Sequence, residues 1–548
     1  MFRAAATIIL AREAAGGMEV LLLGRSAAAA HFPEAWVFPG GTLDPGDYEA
    51  AIRQRIVGLD ERTANRRLNV SQDALAFWVA AARECFEEAG ILLAVDAQRR
   101  PLSAARVAGF VAERAALNNG SLRFNDFLAR QDLYIPAGEM AYVAHWITPA
   151  VQPRRFDTRF LLIQAPAVQT VAHDNHEIVS SLWLTPADAL SQSRSGQINM
   201  VRATQSTLSE LLPFGSPRAA ISHFQSVAQV VKNRPCVAQG RDGRKIFGEG
   251  DAPYAEIHWT DPEESGQTSY DLVADTPKRL DTYVTRVLAP NPGFMTGPGT
   301  NTYLVGAREK IVIDPGPDDP AHIAAILEAG AGQIRWIVLT HTHRDHSPAA
   351  NSLARATGAH IAGRPGGPDA SHDAAPRFDR VLDDGDRVGG DECQLQALHT
   401  PGHASNHLCY LLPETRMLFT GDHVIQGSTV VIGPPDGNMN AYLTSLRRLT
   451  ALDVAIMAPG HGYLIGRPRH EIARLIAHRL AREAKVRAAL NNLGGTATLN
   501  LLLPKVYDDV PAAIHPVAAR SLRAHLEKMV EDGEVTCEDD SWSISRTA

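Results

Sequence analysis

The chain has 548 residues, 45% hydrophobic and 21% charged, with a net charge of −8 at pH 7. That length exceeds one ordinary core, so an α/β multidomain globular protein of two to four domains is expected. The acidic balance argues against a dedicated nucleic-acid binder, and the five scattered cysteines, with no CxxC pair, argue against a disulfide framework and for a reducing compartment.

The first apolar run, 4–11, follows Arg3 and stops at Arg12 and Glu13. It reads as the opening strand of a domain rather than a signal sequence. No run approaches the ~18 apolar residues needed to cross a bilayer, so no membrane partner and a cytoplasmic location are expected. Four blocks follow from the pattern: 1–214, a polar linker segment over 215–279 rich in Gly, Pro and Asp, an α/β block over 280–468, and a C-terminal block over 469–548.

Within the first block, 83-RECFEEAGI-91 places Glu84, Glu87 and Glu88 at i, i+3 and i+4, one face of a helix that Gly90 would end. Three carboxylates facing together favour a hard cation, Mg²⁺ or Mn²⁺; the bland alternative is an acidic solvated face. Upstream, 36-WVFPGGTLDPGD-47 is a strand entering a glycine turn. Together these resemble the Nudix box, with Gly41, Arg83, Glu84, Glu87, Glu88 and Gly90 in place. Asp47 stands where Glu is usual, Cys85 replaces a bulky apolar residue, and roughly 35 residues rather than seven precede Arg83. An insertion at this point resembles the coenzyme A diphosphatase branch, as do the flanks 21–41 and 79–93 and the runs 145-HWITP-149 and 154-RRFDTRFLL-162. The resemblance implies a Nudix α/β/α sandwich and a Mg²⁺- or Mn²⁺-dependent diphosphatase. Glu84, Glu87 and Glu88 would be its metal and catalytic residues, Arg83 would orient a carboxylate, and Glu177 is a candidate base. The departures leave a binding or scaffolding role as the alternative.

The third block carries the sharper signal. Three histidines and an aspartate crowd into 341-HTHRDH-346, directly after the apolar run 336-WIVLT-340. His403 follows in 400-TPGH-403, Asp422 in 420-TGD-422 and His461 in 458-APGHG-462, each after a further predicted strand. Imidazoles and carboxylates are what zinc takes, and such a cluster is unfavourable without a cation. In this order the motifs resemble the metallo-β-lactamase superfamily. That implies an αββα sandwich holding two Zn²⁺: His341, His343 and His403 on one, Asp345, His346 and His461 on the other, Asp422 bridging. Asp345 also belongs to the implied catalytic set, and Asp314, in 311-IVIDPG-316, would order the site from behind the ligands. His399, His407 and His423 are read as bystanders or supports.

The runs 289-APNPGFMTGPGTNTYLVG-306, TPGHASNH and GDHVIQGSTVV are similar to the lactamase-like group that contains a mitochondrial endoribonuclease. Its resemblance extends to a C-terminal winged helix, where helical runs precede the hairpin-like tail 534–545. Two chemistries therefore stay open: hydrolysis of a thioester or related small ester, and cleavage of single-stranded RNA as a phosphodiesterase. The winged helix could also merely cap the zinc site or build a dimer. Arg474, Arg479, Arg482, Lys485 and Arg487 could face a phosphate, or form a solvated face. Tyr507 and Trp542 could stack on bases or be core. The C-terminal block is neutral, with 11 Lys and Arg against 11 Asp and Glu, which favours a small-molecule thioester or nucleoside-diphosphate-linked substrate over RNA.

Overall fold

In the computed structural model, residues 2–28, 32–173, 177–367, 372–373 and 375–545 are described; positions 29–31 of the Nudix-like run 21–41 and the terminal positions 1 and 546–548 of the two end blocks lie outside them. The chain divides into two units, Met1–Pro235 and Cys236–Ala548.

The run after Arg3 forms the strand Arg3–Ala14. Its side chains alternate between two cores: Ala6, Ile8 and Leu10 face one, Ile9 and Ala11 the other. Burial on both faces explains why the run is apolar throughout rather than alternating. This strand lies centrally in a nine-stranded sheet, between Gly17–Arg25 and Phe156–Gln164. One face carries the acidic helix Leu75–Ala89 and the helices that follow it; the other carries Pro186–Arg194, Arg202–Leu211 and Pro217–Ser226. The insertion before Arg83 folds onto the same core through Ile52, Ala64 and Leu68.

The second unit stacks two sheets. Asn301–Val305, Lys310–Ile313 and Ile334–Val338 lie in a seven-stranded sheet; Gln394–His399, Leu408–Leu412, Met417–Gly421 and Ile456–Pro459 lie in a five-stranded one. Tyr303, Ile311, Ile313 and Val338 from the first interleave with Leu395, Tyr410, Phe419 and Ile456 from the second. Helices cover both outer faces, Pro320–Gly330 and Ala350–Thr357 on one, Met439–Leu449 and Pro468–Asn492 on the other, giving the αββα layering. The C-terminal block has helices Pro468–Asn492, Leu499–Val506 and His515–Glu531, then the paired strands Val535–Glu538 and Ser541–Ile544.

The expected linker 215–279 does not exist as a connecting segment. Helix Pro217–Ser226 buries Ala220 and Phe224 in the N-terminal unit, and Lys232–Asn233 extends its sheet. The remainder joins the second unit through helix Tyr254–Thr260. There Glu256 is fully buried, accepting from Arg286 at 2.7 and 2.9 Å, Lys278 at 2.6 Å and the Leu464 backbone at 3.1 Å. Burial alone would raise this carboxyl, but Arg286 and Lys278 outweigh it and hold it down to about 2.

The basic face proposed on Pro468–Asn492 is also revised. The buried stripe is Ile472, Leu475, Arg479, Arg482, Val486 and Ala489, while Leu480 is exposed. Arg479 donates to the Val430 carbonyl and Arg482 to the Val506 carbonyl and Asp509. Arg474, Lys485 and Arg487 pair with Glu471, Asp508 and Glu534. Tyr507 and Trp542 are core. All five cysteines are free thiols, and among the described residues no helix is long and apolar enough to cross a membrane.

Candidate metal centres

Strand Ile334–Val338 ends at the floor of the site, and the turn after it carries His341, His343, Asp345 and His346. His403, Asp422 and His461 arrive from loops at the ends of Gln394–His399, Met417–Gly421 and Ile456–Pro459. A side chain at position 460 would collide with this cluster: a Cβ on Gly460 would lie 2.7 Å from Asp422 Oδ1 and 2.8 Å from the His346 ring.

Two groups converge. The ligand atoms of His341, His343 and His403 lie within 4.8 Å of one another, as do those of Asp345, His346, Asp422 and His461. In the first group, His341 Nε2 and His403 Nε2 stand 2.9 and 3.0 Å from His343 Nδ1. The Val431 carbonyl takes the Nδ1 proton of His403 at 2.8 Å. Thr340 Oγ1 donates to Asp314, so it accepts from His341 Nδ1 at 3.0 Å. Both Nε2 lone pairs therefore face a third ring nitrogen, and one proton cannot satisfy all three. A shared cation can: nitrogens on one tetrahedral zinc at ~2.0–2.1 Å lie about 3.3 Å apart.

The second group is charged. Asp422 Oδ1 is 3.5 Å from His346 Nε2 and 3.3 Å from His461 Nε2; Asp345 Oδ2 is 3.4 Å from His461 Nε2. His346 Nε2, His461 Nε2 and Asp422 Oδ1 are buried without a hydrogen-bond partner. Buried orphans of this kind are costly, and three aimed at one point fit a metal ion. Burial presses His341 well below its ordinary range and His343 down to about 3, the neutral forms that ligation needs. In His461 burial also acts downward, but Asp422 and Asp345 outweigh it and raise the ring to about 9.

Asp314 is buried behind the ligands. It accepts from the Thr340 backbone at 2.7 Å and from His346 Nδ1 at 2.9 Å, which turns His346 Nε2 toward Asp422. Of the three flanking histidines, His407 and His423 are fully buried and His399 bonds the Ser405 carbonyl at 3.0 Å. Among the described residues none of them belongs to a converging group.

Sequence reasoning missed a further pair. His372 bonds Thr342 Oγ1 at 2.8 Å and Asp436 at 3.0 Å, and with His343 these form a third converging group. Neither residue sits in a recognisable motif. A cavity of about 270 Å³ opens over His343, Asp345, His403 and Asp422, walled further by Arg344, Asp436 and Arg520.

The N-terminal site is assembled differently. Arg83 donates to both oxygens of buried Asp47 at 3.1 and 3.0 Å, to Glu84 at 2.9 Å and to Glu87 at 3.0 Å. Asp47 thus serves as a partner for Arg83 despite being one methylene shorter than the usual Glu. Gly40 N donates to Glu88 at 2.9 Å, and a Cβ on Gly41 would lie 2.3 Å from Glu84 Oε1. Gly90 ends the helix at φ +69°. Cys85 is fully buried in the core. Burial lifts Glu84 to about 7 and Glu88 well above the carboxylate range. The three glutamates do not form a converging group among the described residues; Arg83 stands between Glu84 and Glu87. The excess of carboxylates over the one guanidinium still fits a hard cation by chemistry. Glu177 pairs with Arg25.

The metallo-beta-lactamase superfamily matches residues 295–461, the NUDT19 Nudix domain 2–205 and the beta-lactamase-associated winged helix domain 498–542. The beta-lactamase-like protein 2 homolog of Caenorhabditis elegans is 31% identical over 268 residues, 47% of this chain and 88% of that protein. The chain belongs to the metallo-β-lactamase superfamily, with a Nudix domain fused ahead of the lactamase fold. The atrochrysone carboxyl ACP thioesterase of Aspergillus chevalieri is 34% identical over 274 residues, 48% of this chain and 85% of that protein. A Nudix hydrolase structure from Alicyclobacillus acidocaldarius shares 29% identity over 40% of this chain and 96% of its own, with a TM-score of 0.35. The protein is accordingly a hydrolase, with a metallo-β-lactamase domain, a Nudix domain and a winged helix.

Proposed function

We propose that the lactamase unit hydrolyses an acyl thioester with two zinc ions. His341, His343 and His403 would hold one ion, Asp345, His346 and His461 the other, and Asp422 would bridge them. The convergence of these two groups, with buried nitrogens and an oxygen left unpaired, carries the reading; the thioesterase named among relatives of this half supports the choice of bond. Bound zinc would lower the pKa of a water and draw charge from the thioester carbonyl.

The chain's own groups supply the rest. Asp314 and the Val431 and Gly299 carbonyls fix the tautomers of His346, His403 and His461. Burial works against ionisation of Asp345, but His346 and His461 hold it down to about 2. Ionised Asp345 would accept the proton of the attacking water. The carbon–sulfur bond breaks as a carbon–oxygen bond forms, giving a carboxylate and a thiol. The competing RNA reading loses most of its basic helix face, since Arg479 and Arg482 are buried and Arg474, Lys485 and Arg487 are paired with carboxylates.

The Nudix unit would split a diphosphate of coenzyme A or acyl-coenzyme A type with Mg²⁺ or Mn²⁺ on Glu84, Glu87 and Glu88. Arg83 positions Asp47 beside them.

The test is elemental analysis joined to turnover. Wild type should retain two zinc ions per chain, and Asp422→Ala should lose thioesterase activity. Full activity in Asp422→Ala, or a chain that binds no zinc, would contradict the assignment.

A further inference from the structure

Arg520 does not come from the lactamase sandwich. It lies on the winged-helix element His515–Glu531, yet it walls the cavity over the metal-site residues. Its guanidinium occupies the space that a side chain at 433 would fill: a Cβ on Gly433 would come within 2.6 Å of Arg520 Nη2 and 2.7 Å of Nε. The next residue, Ser521, accepts from the Ile432 backbone at 3.4 Å. Asn438 and Asn440 donate to Glu531 at the far end of the same helix, at 3.0 and 2.6 Å. The helix is thereby seated at two points along its length, and Arg520 is held over the site.

Arg344, exposed between His343 and Asp345, walls the same cavity. Among the described residues neither arginine has an ion-pair partner. Among the described residues the one further carboxylate in the wall, Asp436, is already engaged by His372 and by the Ser405 backbone, both at 3.0 Å. Asp345 and Asp422 would bring two negative charges to two divalent ions, which leaves the centre cationic. Two unpaired guanidiniums beside a cationic centre repel it unless an anion enters. Met295 and Val431 add apolar wall to the same cavity.

We propose that Arg520, with Arg344, binds a carboxylate on the acyl group of the substrate, so that the winged helix acts as a specificity element of the zinc site. This rests on the thioester reading above. The guanidinium fork suits a planar carboxylate, and the cavity of about 270 Å³ suits a short acyl chain.

The experiment uses the full chain loaded with zinc and two thioesters of N-acetylcysteamine, glutaryl and pentanoyl. They share chain length and differ by one terminal carboxylate, and neither carries a phosphate. Wild type should prefer the glutaryl ester, and Arg520→Gln should cut that preference about tenfold through KM, with Arg520→Lys restoring part of it. No preference in wild type, or one that Arg520→Gln leaves intact, would overturn the proposal. Calorimetric binding of free glutarate against pentanoate gives a readout independent of turnover. Tighter glutarate binding that Arg520→Gln removes supports the proposal even if neither ester is cleaved, an outcome that would sink only the thioester reading. Equal binding of the two acids overturns it. Cleavage of single-stranded RNA that Arg520→Gln abolishes, with glutarate binding unchanged, would assign the arginines to a phosphodiester and overturn it too. An unchanged melting temperature in Arg520→Gln shows that the winged helix remains folded.

Discussion

At Asp314 the backbone takes a φ of +48°, a region that Asp enters more readily than most residues with a Cβ. The strained turn brings both carboxylate oxygens to bear, one on the Thr340 backbone, the other on Thr340 Oγ1 and His346 Nδ1. Asn at this position keeps the shape and the tolerance for that φ but loses the charge. Asp314→Asn should therefore lower zinc retention or thioester turnover roughly 10- to 100-fold. Zinc content after dialysis checks this, and full retention with full activity would refute the role. A different residue tests packing rather than chemistry. Glu256 is buried among two cations, and removing one partner of such a cluster costs about 3–5 kcal/mol. Glu256→Gln should lower the stability of the second unit by that amount in chemical unfolding. Because the folded carboxyl is held near 2, below its ordinary 4.5, its contribution is complete above about 4.5 and is lost as pH falls toward 2. The variant should lack that part of the acid sensitivity.

At the scale of elements, the acidic helix Leu75–Ala89 has the opposite sign. Glu84 is raised by burial to about 7 from 4.5. The metal-free folded state therefore holds a proton that the unfolded chain has released, so this group costs stability as pH rises from 4.5 through 7. Mg²⁺ binds the ionised form and should relieve the cost. Mg²⁺ should raise the unfolding temperature of the Nudix unit more at pH 8 than at pH 6; an equal shift at both would contradict a cation on Glu84. The convergence of the histidines and aspartates was legible because their pattern is written locally, with these residues placed directly after apolar strands. The acidic helix and its Gly90 cap were legible for the same reason. The segment 215–279 was not. Its polar composition hides Glu256, whose burial depends on Lys278, Arg286 and the Leu464 backbone, 22 to 208 positions away. The stripe on Pro468–Asn492 misled similarly: its spacing of three and four is regular, but Arg479 and Arg482 occupy two of its positions and read as surface. His372 and Asp436 lie 64 positions apart, and no local pattern joins them.

For the molecule as a whole, two separate chemistries are proposed on one chain. Asp422→Ala should abolish thioester turnover and leave diphosphate hydrolysis intact, while Glu87→Ala with Glu88→Ala should do the reverse. Loss of both activities in either folded variant would show that the sites depend on each other. The bond proposed for the lactamase unit is tested most directly in the Glu87→Ala/Glu88→Ala chain, in which the Nudix site is silenced. That variant, loaded with zinc, would be incubated with a panel of acyl-coenzyme A thioesters and a single-stranded RNA, and the products read by mass spectrometry. Free acid with intact coenzyme A and uncut RNA is the expected result. RNA fragments beside untouched thioesters would contradict it and make the zinc unit a nuclease.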